Sequence, residues 1–261
     1  MPSIKVKFPG GSGHTLDGRL EMPDSPAKAY TICCHCFTCS KDTLTTYRIS
    51  KAMAKKGYAT LRFDFTGLGG SKGEFSKTGF SNNVADVLTA IEYLRTHHHA
   101  PTLLIGHSLG GTAILEAAIQ TEEVKAAVTI ASPSQPKHVL HHFGEALPLL
   151  EQGQASSIEV AGQNYAIEPE FVDDLKTYDM QKHLQELQKP TLIFNIVNDA
   201  LVSEKNSVEL DEWISGDSKI ITLENSDHLL SKKQDIDFVT SEIDNWLISL
   251  TQGQNHSNEY I

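Results

Sequence analysis

Apolar positions along this chain follow two spacings in turn. Ile4 to Phe8 and Leu16 to Glu21 are short runs separated by Gly10-Gly11-Ser12-Gly13, which predicts an antiparallel hairpin at a sheet edge. From Tyr30 onward the polar alternation disappears. Tyr30 to Cys34, Ala59 to Phe63, Thr102 to Ile105, Ala126 to Ile130 and Thr191 to Val197 are dominated by apolar residues, the pattern of parallel strands covered on both faces. Lys219 to Leu223 predicts a last strand. Between them, Phe80, Val84, Val87, Ile91 and Leu94 recur at helical spacing, as do Val239, Ile243, Trp246 and Leu250 near the end. Strand and helix in alternation imply right-handed crossovers. The predicted fold is α/β, with a mostly parallel, doubly wound sheet of about eight strands.

The alternation breaks between residues 132 and 180. His138 to Leu150 is followed by a Gly/Gln/Ser-rich stretch from Glu151 to Ser157, and Pro169 to Tyr178 predicts a helix. An insertion after a central strand lies above the carboxyl edge of the sheet, so a small helical cap over a site is expected. Neither internal repeats nor an interdomain linker is visible, and residues 1–261 are expected to form one domain. Thr251 to Ile261 is polar and expected to fray.

Composition narrows the partners. A net charge of −11 disfavours nucleic acid and anionic membrane, which demand clustered Lys and Arg. The cap adds Glu145, Glu151, Glu159, Glu168, Glu170, Asp173 and Asp174, which further disfavour a strongly anionic substrate. No apolar run reaches bilayer length, and the start, MPSIKVKFPGG, has no apolar signal core, so a cytoplasmic location and no membrane partner are expected. All 4 cysteines fall in Cys33-Cys34-His35-Cys36-Phe37-Thr38-Cys39, too close together to staple distant parts of a fold, and reduced thiols are expected. Cys36-x-x-Cys39 also reads as a redox pair and the Cys/His cluster as a metal site. Successive side chains on a strand point to opposite faces, however, so Cys33 and Cys34 cannot converge on one ion. No metal or cofactor is expected.

Gly106-His107-Ser108-Leu109-Gly110 matches G-x-S-x-G between an apolar strand and the helix-forming Thr112 to Gln120. In that context the serine sits on a strained turn that projects it above the sheet, and the new helix brings N–H groups to a developing oxyanion. A serine hydroxyl is a weak nucleophile near neutral pH. It needs a histidine to take its proton and a carboxylate to fix the histidine's tautomer. Of His138, His141, His142, His183, His228 and His256, only His228 follows the last predicted strand and precedes the last helix. Asp199 stands just after the strand Thr191 to Val197; Asp227, adjacent to His228, is the weaker candidate acid. The loop after Tyr30 to Cys34 supplies the second oxyanion donor. Ser108, His228 and Asp199 are therefore the candidate catalytic residues, and the N–H groups of Phe37 and Leu109 the candidate oxyanion donors.

Three segments carry a family resemblance: His35-Cys36-Phe37-Thr38-Cys39-Ser40-Lys41-Asp42, Leu61-Arg62-Phe63-Asp64-Phe65-Thr66-Gly67-Leu68-Gly69, and Gly106-His107-Ser108-Leu109-Gly110-Gly111. Together they resemble the α/β-hydrolase half of bacterial bifunctional proteins that carry an OsmC-like domain and, more distantly, feruloyl and other small carboxylesterases. The resemblance implies the α/β-hydrolase fold and a serine carboxylesterase acting on a small neutral ester with a short to medium acyl or aryl group. Cys36 stands where the common esterase loop has Gly, which narrows the room beside the acyl carbonyl. Arg62 and Asp64 are expected to be structural. Thioesterase or peptidase activity would use the same three residues. The competing classes are a non-catalytic binding protein docking a separate OsmC-like protein, and a thiol-dependent redox protein using Cys36 and Cys39. The chain is expected to be a monomer or a small homo-oligomer.

Overall fold

The computed structural model describes residues 1–257. Its main sheet has eight strands: β1 (Ser3–Pro9), β2 (Thr15–Glu21), β3 (Ala29–Cys34), β4 (Tyr58–Phe63), β5 (Leu103–His107), β6 (Ala126–Ile130), β9 (Thr191–Ile196) and β10 (Ser218–Leu223), in the order β1-β2-β4-β3-β5-β6-β9-β10. β1 and β2 form the antiparallel hairpin, β2 runs antiparallel to β4, and every pair from β4 to β10 is parallel. Each expected strand is present within two residues of its predicted ends. β4, β5, β6 and β9 are buried along their whole length, as two-sided covering requires.

The covering helices are α1 (Leu44–Lys55), α2 (Phe80–His97), α3 (Leu109–Ile119), α7 (Glu204–Trp213) and α8 (Lys233–Ser257). α8 runs well into the stretch expected to fray; the rest of that stretch, 258–261, lies outside the described residues. The two sides of the sheet bury separate apolar clusters. Cys34, Leu104 and Leu109 belong to one, and Cys33, Ile105 and Phe194 to the other, so the neighbouring cysteines do face opposite ways. β3 connects to β4 on one side and β5 lies on its other side, so strand order reverses between β3 and β5. A crevice at their carboxyl ends follows from that reversal.

The insertion departs from the helical cap expected. It contains α4 (Ala146–Glu151), α5 (Pro169–Thr177) and α6 (Met180–His183), but also a two-stranded antiparallel hairpin, β7 (Ser156–Val160) with β8 (Gln163–Ile167). Ala161 and Gly162, both at positive φ, form its two-residue turn. That geometry matches the right-handed twist of the flanking strands. Among the described residues no helix is long and apolar enough to cross a membrane.

Candidate active site

The residues singled out in the sequence sit at the carboxyl ends of four strands. β5 delivers Ser108 at φ 51° and ψ −129°, with α3 beginning at the next residue. The sharp turn depends on small neighbours. A Cβ on Gly106 would lie 2.4 Å from the carbonyl oxygen of Gly110, and one on Gly110 would lie 2.3 Å from that of His35. At such distances the backbone itself would have to shift, so both positions strongly favour glycine. Leu109 is the first residue of α3, where an N–H has no partner within the helix.

β9 delivers Asp199 and β10 is followed by His228. The Nδ1–H of His228 donates to Asp199 Oδ2 at 2.7 Å, while Asp199 Oδ1 accepts the N–H groups of Leu201 at 2.8 Å and Val202 at 3.2 Å. A carboxylate only accepts, so Nδ1 carries the hydrogen and Nε2 keeps its lone pair. Burial opposes the Asp199 charge, but the imidazole and the two N–H groups outweigh it and hold the carboxyl below its ordinary range. Asp227 turns away and caps the following turn through the N–H of Ser231 at 3.0 Å.

His107, just before the serine, is buried and donates from Nε2 to the backbone carbonyl of His228 at 2.7 Å. Among the described residues its Nδ1 has no partner. Burial, reinforced by nearby His228, pushes its pKa down to about 3, so it is a neutral strut under the His228 loop. His35, at the end of β3, plays a similar part. Nε2 accepts the N–H of Phe65 at 3.2 Å, so the hydrogen is on Nδ1, which donates to the Cys36 carbonyl at 2.8 Å. Burial holds its pKa below the usual value. Asp64 and Arg62 belong to a network beneath this loop: Asp64 accepts from Lys41 N at 2.6 Å, Lys41 Nζ at 2.7 Å and Gly70 N at 2.7 Å, and Arg62 pairs with Glu21 at 3.0 Å.

Phe37 follows. Its ring packs among Phe75, Phe143 and Phe171 and lies nearly parallel to His142, and among the described residues no oxygen accepts its N–H. The reduced thiols expected here are not all present: Cys36 and Cys39 form a disulfide, while Cys33 and Cys34 are free. Closeness in sequence excludes a long-range staple but not a bridge across one turn, and the turn in which Cys39 N–H donates to the Cys36 carbonyl at 3.2 Å brings the two Cα atoms to 5.3 Å.

Ser108, His228, Phe37 and the disulfide line one cavity of about 700 Å³. Its walls are mainly apolar, and three leucines that line it, Leu44, Leu201 and Leu229, are each at least 40% exposed. The cap adds His142 and, from the hairpin, Val160 and Tyr165. No local sequence pattern singles out these cap residues. His142 was one histidine among several, and the alternation of Ile158 with Val160 and of Tyr165 with Ile167 spans too few residues to stand out. Burial, then His141 and His138, lower the His142 pKa to about 4, so a neutral ring faces the cavity. Among the described residues no group of three His, Cys, Asp or Glu side chains is disposed to hold a metal ion.

Residues 25–162 match the family model for serine aminopeptidase, S33. The mitochondrial palmitoyl-protein thioesterase ABHD10 of Mus musculus is 26% identical over 208 residues, covering 75% of this chain and 67% of that protein. The chain thus spans about two thirds of the length of the mammalian relatives it matches. Among solved structures, the esterase domain of a Rhodothermus marinus protein is 33% identical, with a TM-score of 0.76 over 94% of this chain and 98% of that one. Est1E from Butyrivibrio proteoclasticus, solved with ferulic acid, is 18% identical with a TM-score of 0.77 over 94% and 98%, a likeness of fold. With the family model covering more than half of its residues and the esterase domain a third identical to it across nearly its full length, the chain belongs to the serine aminopeptidase S33 family of α/β hydrolases.

Proposed function

We propose that the protein is a carboxylic ester hydrolase that forms an acyl-enzyme on Ser108. The observation that carries this reading is the 2.7 Å contact between His228 Nδ1 and Asp199, in a cavity that His228 shares with Ser108 at a strained strand-to-helix turn. In the reaction, Ser108 Oγ attacks the acyl carbon while His228 Nε2 takes its proton. Asp199 stabilises the imidazolium, and the N–H groups of Phe37 and Leu109 hold the oxyanion. The imidazolium then protonates the leaving alkoxide, and water activated by His228 releases the acid. The mainly apolar lining and the acidic cap favour a neutral acyl or aryl ester.

A thioester is the second reading. The exposed Leu44, Leu201 and Leu229 at the cavity suit an aliphatic acyl chain, and relatives about a quarter identical are named palmitoyl-protein thioesterases. Labelling by a fluorophosphonate probe tests the nucleophile: it is expected on the wild type and absent from Ser108→Ala. Turnover of matched oxoesters and thioesters of one acyl chain then separates the two classes. A Ser108→Ala protein that keeps esterase activity would overturn the assignment.

A further inference from the structure

Two cysteines that this mechanism leaves unused stand inside the loop it depends on. The Cys36–Cys39 disulfide closes a short ring that contains Phe37 and Thr38. Phe37 supplies the assigned oxyanion donor, and Thr38 lies at φ 56°, a conformation that β-branched residues rarely adopt. Such a loop holds its shape only under constraint. It has hydrogen bonds from His35 to the Cys36 carbonyl at 2.8 Å, from the Cys39 N–H to the same carbonyl at 3.2 Å, from the Thr38 hydroxyl to the Phe37 carbonyl at 2.7 Å and from the Tyr165 hydroxyl to the Thr38 carbonyl at 3.0 Å, and it has the disulfide, its one covalent cross-link. Both cysteines line the cavity that holds Ser108, and Cys39 is only partly buried, which places the disulfide on the substrate side.

We infer that the Cys36–Cys39 disulfide is a positioning element of the oxyanion site, and that a dithiol entering the substrate cavity reduces it and lowers turnover reversibly. In that step a thiolate of the reductant attacks Cys39 Sγ; the Sγ–Sγ bond breaks and Cys36 leaves as a thiolate that takes up a proton. The second thiol of the reductant then displaces Cys39, closing its own disulfide. Two electrons and two protons have passed to the protein. With the sulfurs parted, Thr38 relaxes from the left-handed region and the Phe37 N–H shifts from the place where the oxyanion forms. The leucines that meet the acyl chain lie on other segments and are not disturbed. The effect therefore falls on kcat rather than KM. Cys33 and Cys34 take no part, being buried in β3, where burial pushes the Cys33 thiol up to about 12.

The inference rests on the Ser108 reading, and its test keeps the two apart. Wild-type protein is titrated with dithiothreitol and then reoxidised with diamide, with p-nitrophenyl butyrate turnover followed throughout and thiols counted by alkylation after denaturation. Since losing one oxyanion donor costs about 10²- to 10³-fold, displacing it is expected to lower kcat about 10- to 100-fold with KM changed by less than about threefold. That loss should track the appearance of the Cys36 and Cys39 thiols and reverse on reoxidation. A Cys36→Ser/Cys39→Ser protein, its fold checked by circular dichroism, should start at the low kcat and ignore the reductant; if it does not fold, the reversible wild-type titration decides alone. An undiminished kcat after both thiols appear, a loss confined to KM, or four free thiols before any reduction would overturn the inference while leaving the esterase reading intact. A wild type with no Ser108-dependent turnover would overturn both.

Discussion

Replacing Asp199 by Asn keeps the size of the side chain and removes its charge, and the surroundings decide which way the new amide turns. One oxygen of Asp199 accepts from His228 and the other from two N–H groups, those of Leu201 and Val202. An amide has a single oxygen to place. Turned toward His228, it would aim its NH₂ at two backbone N–H groups, of which that of Val202 is buried, and an unsatisfied buried donor costs about 1–3 kcal/mol. Turned the other way, it satisfies both and presents NH₂ to His228 Nδ1. The second arrangement therefore wins by about 1–3 kcal/mol, a ratio of at least about five to one. His228 must then accept at Nδ1 and carry its hydrogen on Nε2, the nitrogen needed to take the Ser108 proton. The minor fraction in the right tautomer also lacks the carboxylate that steadies the imidazolium. Asp199→Asn is expected to lower kcat about 10³- to 10⁴-fold with little change in KM. Asp227→Asn, which alters only a turn cap at Ser231, should stay within about twofold of the wild type. Steady-state hydrolysis of p-nitrophenyl butyrate by both variants, with melting curves to confirm folding, is the assay. An Asp199→Asn enzyme within tenfold of the wild type, or an Asp227→Asn enzyme crippled to the same degree, would refute the reasoning.

Gly110→Ala places a methyl group 2.3 Å from the His35 carbonyl oxygen, so α3 and the loop after β3 must part. Urea unfolding should show a loss of about 1–3 kcal/mol, and turnover should fall with it. Asp64→Ala leaves the buried Lys41 ammonium with Asp17 at 2.7 Å as its principal partner, and a loss of about 3 kcal/mol is expected in the same unfolding assay. His107 has its folded pKa pushed from 6.5 to about 3, so below pH 6.5 the unfolded chain binds the extra proton and stability falls as pH falls. Between pH 6.5 and 4 this amounts to on the order of 3 kcal/mol, and unfolding curves of His107→Gln across that window should be flatter than those of the wild type by a similar amount.

How much of this was legible in the sequence depends on what determines each residue's place. The sheet was legible because a parallel strand must be apolar on both faces, which leaves runs such as Thr191 to Ile196 no polar alternation. Ser108, Asp199 and His228 were legible for the same reason: each follows a strand, so finding the strand finds the residue. The hairpin of the cap was not. It is paired only with itself, its exposed positions read as loop, and Ala161 stands in its turn where Asn would have signalled positive φ. Nor was the disulfide, because the proximity of Cys36 and Cys39 depends on a tight turn with Thr38 in the left-handed region, a conformation its residue type disfavours. His142 and Tyr165 reach the cavity through packing on Phe37 and Phe75, contacts between distant segments that no local pattern encodes. A serine hydrolase of this architecture draws its reacting groups from strand ends, which the pattern of burial reveals, and part of its substrate contacts from the cap, where that pattern is silent. The chemistry proposed for this chain is for that reason plainer in its sequence than its substrate, and variants at His142, Tyr165 and Val160 are where acyl preference is expected to move while the chemistry proposed at Ser108 stays the same.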